Sequence, residues 1–309
     1  MAKKLIIVLG TTASGKTKLS VRLAYELSGE IISADSRQVY KNMDIGTGKD
    51  LKEYVINGHN IPYHLIDIVS AQEEFNLFEF QIRFYDIYSM LIQKNVLPIV
   101  VGGTGLYLES IVQNYQLPPA PQGQNLRKDL RTKSLEELRK NLFSLKPQLH
   151  NKTDIEDKDR LIRAIEIERA RQGQSAEIFK KPLIDAAVFG IRWERSVLRK
   201  RITTRLKQRL EQGMIEEVKT LQESGLSWAR LDRFGLEYRY VSQYLQDNLS
   251  YQEMFMKLNT SIHQYAKRQE TWFRRMERKG ITINWINGDD YNLLKESVIK
   301  YLDDKTFSI

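Results

Sequence analysis

The chain has 309 residues, 41% of them hydrophobic and 10% aromatic, enough apolar material for a sizeable core and more length than one small domain needs. It has no cysteine, which excludes disulfides, thiolate zinc sites and cysteine nucleophiles, and its four histidines (His59, His64, His150 and His263) show no metal-ligand spacing. The formal net charge is +9, and residues 190–285 hold 19 Lys and Arg against 11 Asp and Glu, so +8 of it lies there; such a segment is either a solvated basic surface or the footprint of a polyanionic partner such as nucleic acid.

The first element is an apolar strand, Leu5–Leu9, entered directly from Met1-Ala2-Lys3-Lys4. Five apolar residues are too few for a signal-peptide core, and no run approaches the roughly 18 of a membrane span, so a cytoplasmic protein with no membrane contact is expected. The strand is followed by Gly10-Thr11-Thr12-Ala13-Ser14-Gly15-Lys16-Thr17, which matches G-x-x-x-x-G-K-[ST], and then by a helical segment, Lys18–Leu27. In that strand–loop–helix context the glycines let backbone N–H groups curl around a phosphate, Lys16 adds a charge, and the Thr17 hydroxyl can sit on Mg²⁺. A di- or triphosphate ligand follows; the motif does not say which.

A second strand, Glu30–Ala34, ends at Asp35. Asn76–Lys94 reads as a helix, with Phe80, Phe84, Ile87 and Leu91 at helical spacing. A third strand, Leu97–Val101, runs into Gly102-Gly103-Thr104-Gly105. Strands alternating with helices predict an α/β fold, a doubly wound parallel sheet with a P-loop. In such sheets ligands bind at the carboxyl ends of the strands, so the P-loop, Asp35 and Thr104 should share one crevice. Leu117-Pro118-Pro119-Ala120-Pro121-Gln122-Gly123 breaks the pattern. Residues 124–180 carry helical patterns and no strand signal, and Ala186–Ile191 reads as a strand rejoining the sheet. The expected organisation is a core over 1–117, a helical insertion over 118–185, and the rest of the core with basic helices over 186–309. Val197–Glu223 and Tyr251–Lys279 are predicted helical, and Ile281–Ile286 a last strand.

P-loops of hydrolases and kinases are usually accompanied by an apolar strand ending in an Asp that holds Mg²⁺. Here the corresponding strand ends in Gly-Gly-Thr, and the strand-end acid is Asp35. Three roles stay open for Asp35 on the residues alone: a water-mediated Mg²⁺ contact, a general base, or a turn cap. Arg205 reads on its own as one more charge on an amphipathic helix.

Gly10–Thr17, Asp35–Lys41, Met43–Thr47, Val101–Tyr107 and Lys267–Arg274, in this order, closely resemble the motifs of the tRNA dimethylallyltransferases and span the chain nearly from end to end. The resemblance implies transfer of a dimethylallyl group from dimethylallyl diphosphate to N6 of the adenosine 3′ of a tRNA anticodon. It implies a P-loop cradling the donor's diphosphate, Lys16 and Mg²⁺ at Thr17 stabilising the leaving group, Thr104 and Arg205 contacting it, and Asp35 receiving the adenine amine. It also assigns tRNA contacts to Asp35, Ser36, Arg37, Gln38, Arg127, Arg160, Arg163, Arg239, Lys267, Arg268 and Arg274. Lys267, Arg274 and Arg278 form one stripe near Trp272 and Phe273, which suits phosphates and unstacked bases, or else a solvated amphipathic helix. The chain is expected to act as a monomer. It departs from the family pattern at Thr12 (usually Pro), at Asp159 (usually Gln), at Gly48-Lys49-Asp50, and over Phe234–Tyr240. The nearest rival is an adenylate dimethylallyltransferase acting on free AMP, ADP or ATP. More distant ones are a small-molecule kinase and a non-catalytic tRNA-binding relative.

Overall fold

The computed structural model describes residues 3–117, 124–146, 156–173 and 181–304. The strands are β1 Lys3–Gly10, β2 Gly29–Ala34, β3 Val55–Ile56, β4 His59–Asn60, β5 Tyr63–His64, β6 Leu97–Gly102, β7 Ile184–Arg192 and β8 Ile283–Asn287. The helices are α1 Lys16–Leu27, α2 Leu77–Gln93, α3 Gly105–Val112, α4 Gln124–Thr132, α5 Leu135–Leu145, α6 Lys158–Gly173, α7 Arg195–Glu211, α8 Met214–Glu223, α9 Trp228–Leu231, α10 Leu236–Leu245, α11 Tyr251–Arg278 and α12 Tyr291–Asp303.

Six strands form one parallel sheet in the order β5-β2-β6-β1-β7-β8, and β3 pairs antiparallel with β4. The central strand β1 lies between β6 and β7, and Leu5 to Leu9 are fully buried, as a strand covered on both faces requires. Its side chains divide by parity. Ile6 and Val8 pack with Leu19 and Leu23 of α1 and Leu294 and Val298 of α12; Leu5, Ile7 and Leu9 pack with Phe80 and Phe84 of α2, Leu108 of α3 and Phe273 of α11. Helices thus cover both faces, and the doubly wound α/β expectation holds. A third cluster, built from α7, α8, α10 and α11, backs the loops that follow β2.

The α2 helix starts where the Asn76 side chain accepts the N–H groups of Phe78 and Glu79. A capping box between Ser250 and Glu253 opens the 28-residue α11, whose buried stripe runs Met254, Leu258, Ile262, Ala266, Gln269, Phe273, Met276. The stretch expected as one helix over Val197–Glu223 is two, because Gly213 takes φ +100 and ends α7 before α8 begins.

The chain divides into two compact units, Met1–Asn114 with Pro182–Ile309, and Tyr115–Lys181. The expected limits of 118 and 185 shift accordingly. β7 begins at Ile184, which pairs with Lys3, so residues 184 and 185 are part of the sheet. Beyond Leu117, the Pro-rich boundary stretch lies outside the described residues, as do parts of the expected insertion. Within the smaller unit, Leu130, Leu138, Leu142, Leu161, Ile162 and Ile165 close a core among α4, α5 and α6.

Candidate active site

A cleft of about 1220 Å³ opens at the carboxyl ends of β1, β2 and β6, lined by the P-loop, the turn after Asp35, the loop from Asp44 to Tyr54, one face of α7 and the start of α10. Its position is the one a doubly wound sheet dictates.

The P-loop leaves β1 at Gly10. Ala13 (φ 60) and Gly15 (φ 87) turn the chain through left-handed conformations, and no side chain caps the N-terminus of α1 at Gly15. An uncapped helix start of this kind presents backbone N–H groups to an anion. The loop is held from outside: Gln269 Oε1 accepts the Thr12 N–H at 2.9 Å, Arg201 Nε donates to Ala13 O at 2.9 Å, and Trp193 Nε1 donates to Ser14 O at 2.8 Å. Gln269 is buried and donates its Nε2 to Gly103 O at 2.9 Å, so one side chain ties the P-loop to the loop after β6. The Lys16 ammonium donates to Thr11 O at 3.3 Å. Burial, and next the Arg205 guanidinium, pull its pKa down to about 8.

Asp35 Oδ1 accepts the N–H groups of Arg37 (2.8 Å) and Gln38 (3.4 Å), so Asp35 does cap its turn. The cap role belongs to Oδ1 and leaves Oδ2 without a hydrogen bond among the described residues, and Asp35 lines the cleft. Thr104 departs from its expected place. Its Oγ1 accepts the Ser36 N–H at 3.1 Å, and it is not among the residues lining the cleft, because it sits behind the Asp35–Ser36 turn. Gln38 is also engaged internally, accepting from Ser33 Oγ at 2.9 Å and donating to Gly48 O at 2.9 Å, which leaves Ser36 and Arg37 as the open members of that turn.

Arg205 reaches the cleft and donates to the Asp50 carboxylate. Burial pushes the Asp50 carboxyl up, but Arg205 and Arg209 outweigh it and hold it below the ordinary range. Arg209, one turn along α7, is buried and faces Glu237 at 3.6 Å. The loop carrying Asp50 is anchored at both ends. The Glu217 carboxylate accepts the N–H groups of Asp44, Ile45 and Gly46 at 2.8, 2.6 and 3.0 Å and the Tyr238 hydroxyl at 2.8 Å, and the buried Lys49 ammonium donates to Tyr40 O at 2.8 Å and to the carboxylates of Asp44 and Asp67. The departure over Phe234–Tyr240 thus supplies Glu237 and Tyr238 to the cleft wall. Local sequence assigns no role to Arg201, Arg209, Asp50, Glu217, Glu237 or Gln269, although Gln269 lies within the Lys267–Arg274 motif; helix periodicity is the one signal that places Arg209 and Gln269 on inward faces.

The cationic residues expected to meet tRNA divide into two groups. Lys267, Arg268 and Arg274 are exposed on α11, and Arg160 is exposed on α6. Arg239 is paired with Asp232 at 2.8 Å; within the smaller unit, Arg163 (3.1 Å) and Arg127 (3.8 Å) both face the buried Glu166, which makes them part of that unit's packing. The aromatic partners of the α11 stripe are corrected: Phe273 is 1% exposed in the core, and the Trp272 ring packs over Gly105, where a side-chain carbon would stand 2.3 Å from it. Phe273 lies on the buried side of the helix, away from the cations, whereas Trp272 is half-buried at the edge of that side, with the Arg275 guanidinium 4.9 Å from its ring centroid.

A phosphate-cradling loop at the end of a parallel sheet, faced by arginines and a half-free carboxylate, defines a P-loop protein with an anion-binding cleft. Two protein-family profiles match the chain, "IPP transferase" over residues 38–276 and "Isopentenyl transferase" over residues 3–63. The chain is 55% identical to a tRNA dimethylallyltransferase 1 of Syntrophus aciditrophicus over 300 residues (96% of this chain, 98% of the relative) and 53% identical to one of Geotalea uraniireducens (94% of each). The crystal structure of a Bacillus halodurans tRNA isopentenylpyrophosphate transferase superposes with a TM-score of 0.69 at 31% identity, covering 97% of this chain and 95% of that one. The chain belongs to the tRNA dimethylallyltransferase family.

Proposed function

We infer that the chain transfers a dimethylallyl group from dimethylallyl diphosphate to N6 of the adenosine 3′ of the anticodon in tRNA. The observation that carries the reading is the joint placement of an uncapped P-loop, a cationic wall and the half-free Asp35 carboxylate in one cleft. The adenine nitrogen attacks the allylic carbon, the carbon–oxygen bond to diphosphate breaks, and the amine proton passes to Asp35 Oδ2. The P-loop N–H groups, Lys16 and Arg205 meet the charge that grows on the departing diphosphate. The target base leaves the anticodon stack to reach the cleft. Thr104 acts through the Ser36 turn, and the exposed α11 cations take tRNA phosphates.

Mg²⁺ belongs to the same reading. The Thr17 hydroxyl is a hard oxygen donor suited to it, and no group of three acidic, histidine or cysteine side chains that could hold a metal occurs among the described residues, so the remaining ligands would be diphosphate oxygens and water. The ion would supply further positive charge to the leaving group. No helix among the described residues is long and apolar enough to cross a membrane.

The test is incubation with labelled dimethylallyl diphosphate and either tRNA or AMP. Label is expected in tRNA. Label in AMP alone would favour the adenylate enzyme, and rapid ATP hydrolysis without transfer would overturn the donor assignment.

A further inference from the structure

Two guanidinium groups converge over Gly48. A side-chain carbon built at Gly48 would stand 1.5 Å from Arg209 Nη2 and 2.9 Å from Arg205 Nη2, and Gly48 itself holds φ +63. The two arginines are four residues apart on α7, so both project from one face of the helix. Like charges at this range repel, and the repulsion grows as burial removes water from between them. Arg205 is matched by Asp50, but Arg209 is not matched so well. It is 7% exposed, its Nε has no hydrogen-bond partner, and the Glu237 carboxylate lies 3.6 Å from Nη1, too far for a good hydrogen bond. Both arginines also bear on Lys16 electrostatically, opposed by the Asp35 and Asp50 carboxylates.

A buried cation left this short of partners is costly unless something compensates it. Its position in an anion-binding cleft names the compensation, an anion that arrives with the substrate. We propose that Arg209 is a second guanidinium ligand of the donor's diphosphate, beside Arg205, with Glu237 as the positioning residue that aims it. Glu237 sits in the first turn of α10, where the helix N-terminus favours a carboxylate, and it lines the same cleft, so it can hold the guanidinium from behind. Gly48 is bare because any side chain would occupy the place where the two guanidinium groups meet. The proposal rests on the reading of the cleft as the donor diphosphate site.

Binding of inorganic diphosphate, followed by calorimetry, tests it on the full chain and on Arg209→Met, Lys16→Ala and the double variant Arg209→Met/Glu237→Gln, with tRNA affinity measured on the same samples. Methionine keeps much of the length of the side chain and removes its charge. Arg209→Met should weaken diphosphate about ten- to hundred-fold, the worth of a charged hydrogen bond, and raise the donor KM in step while tRNA affinity stays put. The double variant removes both buried charges together, so it keeps the fold intact and should show the same loss. Diphosphate binding at wild-type strength in the double variant, with Lys16→Ala still defective, would overturn the proposal and leave Arg209 as a packing partner of Glu237. If Lys16→Ala also bound like wild type, the reading of the cleft would fall, and the proposal with it.

Discussion

Gln269 accepts the backbone N–H of Thr12 at 2.9 Å, so the helix that displays Lys267, Arg268 and Arg274 on its outer face grips the phosphate loop with its inner one. The contact gives the loop a fixed height above the sheet, because the other end of the same amide is fastened to Gly103 O.

Replacing Gln269 by Leu leaves a buried carbonyl at Gly103 and a half-buried N–H at Thr12 without partners, at a cost of roughly 1–3 kcal/mol for the carbonyl and less for the N–H. The expected outcome is a melting temperature lower by several degrees and a donor KM raised about ten-fold, with tRNA affinity unchanged. Gln269→Glu keeps the acceptor for Thr12 and should recover part of the KM. Thermal denaturation alongside steady-state kinetics reads both effects, and equal losses in donor and tRNA binding would contradict a role confined to the loop.

Asp35→Asn separates the two oxygens of that carboxylate. Asparagine retains an acceptor for the Arg37 and Gln38 N–H groups, so the turn and the melting temperature should be preserved. Charge and basicity are lost, and single-turnover rates should fall about 10²–10⁴-fold, the range of a general base. A rate near wild type would make Asp35 a cap and nothing more, and the proton would then leave to water or to the diphosphate.

Lys16 supplies a pH signature. With its pKa near 8 before an anion binds, against an ordinary value of 10.5, it is charged below pH 8 and increasingly neutral above it. Diphosphate needs the charged form, so affinity should fall above pH 8 by up to about ten-fold per unit, with proton uptake on binding. Stability moves the other way. The unfolded chain holds the proton up to about pH 10.5, so between 8 and 10.5 the unfolded state binds more protons and the ligand-free protein gains stability from this group as pH rises. The wild type and Lys16→Met, compared by titration calorimetry and urea denaturation across that window, isolate the contribution of the one side chain.

Glu217→Ala removes the acceptor of three consecutive backbone N–H groups and of the Tyr238 hydroxyl. A loss of roughly 3 kcal/mol in urea denaturation is expected, and Tyr238→Phe should cost about 1 kcal/mol. Both should raise the donor KM, since the loop they hold carries Gly48 and Asp50.

On α11, Arg274→Ala and Arg278→Ala should each lower the slope of log affinity for tRNA against log salt by about one unit, because these exposed cations form no ion pair among the described residues. Arg239→Ala should change the slope less, its charge being already matched by Asp232 at 2.8 Å. Filter binding between low and moderate salt gives the comparison; a slope indifferent to Arg274 would remove it from the interface.

Much of this arrangement is legible in the residues. Gly10–Thr17, the apolar β1 and the position of Asp35 at the end of β2 are local patterns, and the parallel sheet follows from their alternation with helices. What escaped is carried by contacts between distant residues. Arg209 and Gln269 fall on the apolar stripes of α7 and α11, so periodicity turns them inward without saying what they meet, and Glu217 looks like an ordinary polar position until the fold brings Asp44 to Gly46 against it. Conversely, Phe273 beside Arg274 suggests base stacking only until the helical turn carries Phe273 into the core, and the Trp272 ring is taken up by Gly105 and Arg275. Thr104 shows a different limit: adjacency to the cleft is readable, but the Ser36 N–H that occupies its hydroxyl oxygen belongs to a turn whose shape local sequence does not specify.

The grip of Gln269 on Thr12 spans 257 positions of the chain, and that of Glu217 on Asp44 spans 173. During synthesis the signature loop emerges from the ribosome well before its clasp. A copy released before α11 has been made carries the complete P-loop motif and the arginines of α7 without the side chain that sets the loop's height. Translation interrupted upstream of α11 should therefore yield inert fragments, because the early loop is held in place only once the later helix has been made.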